Sequence, residues 1–256
     1  MTVIETYVPG TFCWADLGTP DAAAAKRFYT HLFGWSAEDR PMGPDAVYTM
    51  FHLDGRAVAA LYQEQAGAPP HWLSYISVDA ADEVARRASK LGGSVLMDAF
   101  DVLDVGRMAL IQDPGGAVVA LWEPKRHIGS GIVGEPNTLC WNELVTADTA
   151  RAGKFFGELL GWRSDAQRLG DVAYTKFMRD GTTAVGGMMQ IGPGAGPVPP
   201  HWLIYFAVGD CDASATRARD LGARTVTPPA DIPGAGRFAV LEDPQGAVFA
   251  IIRPAM

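Results

Sequence analysis

The alternation of apolar and polar positions changes period along the chain, and the changes recur. Residues 12–17 (Phe-Cys-Trp-Ala-Asp-Leu) and 47–53 alternate as strands do, whereas residues 21–33 place Phe28, Leu32 and Phe33 on one helical stripe. Asp21 stands where an N-cap would accept a first-turn N–H, and Gly34 stops the helix. Residues 48–53 and 57–63 form a hairpin pattern about Asp54-Gly55, a strong two-residue turn signal. After a loop at 66–70 come a strand at 71–78, a helix at 82–91 closed by Gly92-Gly93, and short strands near Val95, at 107–112 and at 118–122. The last two are joined by Asp113-Pro114-Gly115-Gly116, so the stretch reads βαββ(β) followed by βαβββ.

The pattern then starts again. Trp141, Asp148 and Gly161-Trp162 follow Trp14, Asp21 and Gly34-Trp35 at an offset of 127 residues. Pro200-His201-Trp202, Gly236-Arg237 and Asp243-Pro244 follow their counterparts at 130, which places an insertion of about three residues in the loop at 192–200, where insertions are tolerated. The expected organisation is α+β: tandem duplicated βαβββ modules forming two cup-shaped mixed sheets with helices on the outside. Residues 1–127 make the first domain, 128–137 a linker and 138–256 the second. Gly129-Ser130-Gly131-Ile132-Val133-Gly134 matches the dinucleotide pattern GxGxxG, but a strand and not a helix follows, so no helix N-terminus meets a pyrophosphate and the segment reads as flexible linker.

Composition narrows the function. A net charge of -8 and no clustered basic face argue against nucleic acid. No apolar run approaches the roughly 20 residues of a membrane span, and residues 1–10 lack signal-peptide character, so the expected location is cytoplasmic, with no membrane partner. Three cysteines, Cys13, Cys140 and Cys211, fit a reducing compartment, and Cys13 and Cys140 read as core residues at equivalent repeat positions.

The paired βαβββ units, the helix-opening Asp, the helix endings Phe28-Tyr29 to Gly34-Trp35 and Phe155-Phe156 to Gly161-Trp162, and the Asp-Pro-x-Gly turns together resemble the vicinal oxygen chelate superfamily of glyoxalases, bleomycin-resistance proteins and extradiol dioxygenases. The resemblance implies a cup in each half and, in the metalloenzymes, a divalent ion at its base. Seven residues before the helix-opening Asp, where metal-binding members carry His, this chain has Trp14 and Trp141. Leu73 and Leu203 hold the second ligand position, and Ala120 and Ala250 the place of an expected Glu. The fourth falls within 61–63 and 188–190, where only glutamines could coordinate. A catalytic ion needs about three protein ligands, so the expectation is no metal and no cofactor.

Strand parity puts Asp16 about 7 Å from Trp14 on one face, and Glu143 likewise with Trp141. If that face is the cup wall, His71, Leu73 and Tyr75 join it in the first half, and His201, Leu203 and Tyr205 in the second. The resemblance adds Met108, Leu110, Gln112, Ala120 and Trp122, and on the other side Phe238, Val240, Glu242, Ala250 and Ile252. Such a lining suits a small molecule. Trp14, Trp141, Tyr75, Tyr205, Leu110, Trp122, Phe238 and Glu242 are the expected ligand contacts.

Asp16 and Glu143 also read as plain hydrogen-bond acceptors, and His71 and His201 as structural strand-start residues. The alternative makes Asp16 with His71, or Glu143 with His201, an acid-base pair. The first hypothesis is thus metal-independent binding of a small hydrophobic or planar aromatic molecule, of the resistance or sequestration type, by a monomer or homodimer. The second is an enzyme of secondary or aldehyde metabolism (isomerase, lyase or hydroxylase-associated) using these carboxylates, and the third a residual metalloenzyme acting on methylglyoxal and a thiol. The more polar second cup is the favoured site.

Overall fold

A computed structural model describes residues 3–44, 46–170, 172–192 and 198–255. The first half runs β1 (Phe12–Thr19), α1 (Ala22–Phe33), β2 (Ser36–Pro41), β3 (Val47–Leu53), β4 (Arg56–Gln63), β5 (His71–Ser77), α2 (Ala81–Lys90), β6 (Ser94–Val102), β7 (Gly106–Gln112) and β8 (Val118–Pro124). The second repeats it as β9 (Leu139–Thr146), α3 (Thr149–Leu160), β10 (Arg163–Leu169), β11 (Val172–Arg179), β12 (Thr183–Gln190), β13 (His201–Ala207), α4 (Cys211–Asp220), β14 (Arg224–Ile232), β15 (Gly236–Glu242) and β16 (Val248–Pro254). The strands form two eight-stranded mixed sheets, ordered β2-β3-β4-β1-β5-β8-β7-β6 and β10-β11-β12-β9-β13-β16-β15-β14.

In each sheet the two modules meet where their first strands pair antiparallel, β1 with β5 and β9 with β13. Both modules of a half therefore share one cup, which answers a question sequence periodicity leaves open. The expected caps are present: Asp21 accepts from Ala24 N–H at 2.9 Å, Asp148 from Arg151 N–H at 2.9 Å, and Gly34 and Gly161 take left-handed conformations at the helix ends. The repeat offset changes between Gln190 and His201, as expected, although residues 193–197 of that loop lie outside the described set.

β1 is buried on both faces because one face lines the cup and the other receives helices. Those helices join the halves. One core cluster unites Phe28, Tyr29 and Phe33 of α1 with Phe206, Phe249 and Ala215 of the second half. A second unites Phe155 and Phe156 of α3 with Ala85, Ile111 and Val119 of the first. The helices thus lie outside each cup but inside the molecule.

Two expectations need correction. Segment 128–137 is not a flexible tether: Ser130 N–H donates to Cys13 O at 2.8 Å, Ser130 Oγ to Val58 O at 3.0 Å, and Ile132 is fully buried. Gly129, at φ +117°, lies so near the Cys13 carbonyl that a Cβ would stand 2.3 Å from its oxygen, so glycine here serves close backbone approach. Gln63 is not free to coordinate an ion. Its Nε2 donates to Pro20 O at 2.6 Å and its Oε1 accepts from Ala22 N–H at 3.1 Å at the start of α1.

Candidate functional site

Residues directly opposite one another in a sheet share a face. The register Trp14–Tyr75, Asp16–Leu73, Asp16–Ala60, Gly18–Tyr62, Gly18–His71, Tyr75–Ala120, Leu110–Ala120 and Met108–Trp122 therefore assembles one concave wall in the first half. In the second, Trp141–Tyr205, Glu143–Leu203, Glu143–Gly187, Val145–His201, Tyr205–Ala250, Val240–Ala250 and Phe238–Ile252 do the same.

At the centre of each wall an indole, a phenol and a carboxylate are linked. Trp14 Nε1 donates to Tyr48 Oη at 3.0 Å, and Tyr48 and Tyr75 hydroxyls donate to Asp16 Oδ2 at 2.9 and 2.7 Å. Trp141 Nε1 donates to Tyr174 Oη at 2.8 Å, and Tyr205 donates to Glu143 Oε1 at 2.9 Å, with the Tyr174 hydroxyl a further partner of that carboxylate. Tyr174 lies where a Cβ on Gly187 would meet its hydroxyl, so Gly187 makes room for the phenol beside Glu143. Burial pushes the Asp16 carboxyl up to about 6 against the pull of the two phenols and of the His71 imidazole, and burial also raises Glu143 above its ordinary range.

The remaining predicted residues divide. Leu110, Trp122 and Tyr75 pack in the first wall, and Tyr205, with half-buried Trp141 and Phe238, in the second. His71 and His201 sit at the strand starts, their Nδ1 atoms 3.1 and 2.9 Å from the Pro69 and Pro199 carbonyls. His201 lies opposite Val145 and is not paired with Glu143. Glu242 forms an ion pair with Arg224 across the strand end, and Gln112 Nε2 donates to Gly116 O at 2.9 Å.

The cups differ in access. Over the first, His127 packs edge-on against Trp14 at 4.6 Å between ring centroids, Trp122 Nε1 donates to His127 O at 2.8 Å, and Tyr7 packs alongside. Trp14 and Trp122 are consequently only 3% and 5% exposed. Burial, with a smaller effect of Arg40, lowers His127 to about 4, leaving a neutral ring over the indole. Trp141 and Ile252, at the corresponding places, are only half-buried. This cover comes from a segment outside the modules, so no repeat pattern announces it.

Residues 11–121 match the model of the glyoxalase/bleomycin resistance protein/dioxygenase superfamily, and residues 139–252 that of a glyoxalase-like domain. The chain belongs to this superfamily. Over 254 residues, 97% of both chains, it is 45% identical to "Putative glyoxylase CFP32" of Mycobacterium tuberculosis. It is 38% identical to the anthracycline biosynthesis protein DnrV of Streptomyces peucetius, covering 96% of this chain and 94% of that one. The Mn(II)-bound glyoxalase of Novosphingobium aromaticivorans shares the fold, with a TM-score of 0.67 at 17% identity over 96% of this chain and 82% of that one.

Metal chemistry of the superfamily does not suit the residues present. Trp14, Leu73 and Ala120, and Trp141, Leu203 and Ala250, offer an indole, an isobutyl group and a methyl where donors would be needed. Among the described residues no group of three or more His, Cys, Asp or Glu side chains is placed to hold an ion.

Proposed function

We propose that the second cup binds a small, flat, largely apolar molecule without a metal ion. The observation that carries the reading is the Trp141 indole, half-buried where Trp14 is fully covered, held in position by Tyr174 and backed by Tyr205, Phe238, Val240 and Ile252, above a single buried carboxyl. A guest that covers the part of the indole still open removes apolar surface from water at about 25 cal/mol/Å² and adds its own apolar area to the contact. Association costs offset much of this, so about micromolar affinity is expected. The similarity to DnrV, named for anthracycline biosynthesis, supports a planar polycyclic guest. Titration with anthraquinones and other planar polycycles, followed by tryptophan fluorescence, tests it: saturable quenching is expected, and its absence across the panel sinks the proposal.

A second reading rests on Glu143. Burial raises its carboxyl while two phenols hold it, as suits a group that gives or takes a proton in an enolisation, isomerisation or ring closure. Turnover lost in Glu143→Gln with guest binding retained would favour this enzyme, and equal turnover would dismiss it.

A further inference from the structure

The two cups are lined alike at the indole but differently four residues further along their first strands. Gly18 occupies the place of Val145, Tyr62 that of Met189 and Glu64 that of Ile191. A Cβ on Gly18 would lie 2.8 Å from Glu64 Oε2, 2.9 Å from Tyr62 Oη and 3.0 Å from His71 Cε1, so a carboxylate, a phenol and an imidazole converge on the space that glycine leaves. Asp16 lies on the same face, one pleat away. Its Oδ2 takes both phenolic hydrogen bonds, while Oδ1 is buried with no partner, in a residue only 2% exposed.

An unsatisfied buried carboxylate oxygen is costly, about 1–3 kcal/mol or more when charged, and calls for a donor. Among the described residues neither Asp16 nor Glu64 has a cationic partner within ion-pair distance; Glu64 has as partners the neighbouring Gln65 N–H, on Oε1, and the Tyr62 hydroxyl. The Tyr48 and Tyr75 hydroxyls meet the other oxygen of this carboxyl, Trp14 is tied in through Tyr48, and the Tyr62 hydroxyl stands at the Glu64 side. Two carboxylates without an ion-pair partner, with only the His71 imidazole nearby to offset them, form the surroundings in which an ammonium group gains charge-assisted hydrogen bonds. The half-buried Glu64 and Tyr62 leave this end approachable, whereas His127 covers the indole end.

We propose that the first cup is a second, chemically distinct site that takes the protonated amine of a small aryl-alkyl ligand, its ammonium held by Asp16 Oδ1 and Glu64. This site is independent of the apolar one in the second cup. Calorimetric titration of the full chain near pH 8 with benzylamine, 2-phenylethylamine and tryptamine, each against its neutral alcohol, tests it. At least one amine binds roughly tenfold or more tighter than its alcohol, and Asp16→Asn and Glu64→Gln each remove most of that preference. Gly18→Val, the residue the second half carries at this place, abolishes amine binding, and since the Cβ meets only side-chain ends, those of Glu64, Tyr62 and His71, and no backbone, a cooperative melting transition is kept. Equal binding of amines and alcohols, no amine binding at all, or amine binding unchanged by Gly18→Val would overturn the proposal.

Discussion

Replacing Phe156 with Tyr is expected to stabilise the protein, although it adds a polar atom to a fully buried position. The reason lies in the other half. At the equivalent place, Trp72 Nε1 donates to Tyr29 Oη at 3.0 Å and Tyr29 donates to Asp243 Oδ2 at 2.9 Å, closing a chain between a strand, a helix and the Asp-Pro turn of the opposite half. The second copy has the same frame: Phe156 meets Trp202 at 5.4 Å and 76°, as Tyr29 meets Trp72 at 5.2 Å and 87°. The phenolic oxygen is missing there, and both Trp202 Nε1 and Asp113 Oδ2 are buried without partners. Each new hydrogen bond is worth about 0.5–1.5 kcal/mol net, more to a charged acceptor, so the pair should add about 2 kcal/mol. For a chain of this size that is roughly 4–8 °C in Tm. Differential scanning calorimetry of wild type, Phe156→Tyr and Tyr29→Phe is the assay, with Tyr29→Phe expected to lose a similar amount. Because burial raises Asp113 and the new bond would lower it, the gain should be largest where Asp113 is ionised and shrink as pH falls. A Phe156→Tyr protein melting at or below wild type, with Tyr29→Phe destabilised, would refute the idea that the second frame lacks only this oxygen.

Other expectations concern the cups and the connecting segment. Burial raises Asp16 from 3.8 to about 6, so its contribution is fully present below pH 4 and is lost as pH rises through 6; this corresponds to about 3 kcal/mol, and urea unfolding of Asp16→Asn against wild type should show a stability difference drifting by that amount between pH 4 and 7. A flat drift would show that Asp16 titrates normally. Trp141→Ala should cost the proposed guest at least tenfold in affinity by calorimetry and cost less stability than Trp14→Ala, which empties a covered core position and should cost about 3–5 kcal/mol. Gly129→Ala should destabilise by about 2 kcal/mol or more in urea, through the Cys13 carbonyl and the positive φ.

Features carried by local chemistry were legible in the sequence. The helix caps, the Asp54-Gly55 turn with Asp54 at φ 50° and Gly55 at φ 75°, and the shared face of Trp14, Asp16 and Tyr75 follow from residue type and strand parity. β2 and β10 were not, because both are almost wholly exposed and polar edge strands with no apolar rhythm to read. The site was legible on each strand and illegible between strands. Glu64 and Tyr62 belong to the first cup through a parallel pairing of β1 with β4 that no period reports, and the one available signal was glycine at 18 against valine at 145. His127 escaped notice because it lies beyond the last repeated strand.

The crossed packing of the helices has a consequence for dissection. A cut within 128–137 would give two pieces, each with its own curved sheet but with the aromatic stripe of its first helix stripped of the surface it grips in the other. Produced singly, each piece should aggregate or pair with itself; produced together, they should recombine. Split-reporter complementation would then read out reassembly of the two pieces.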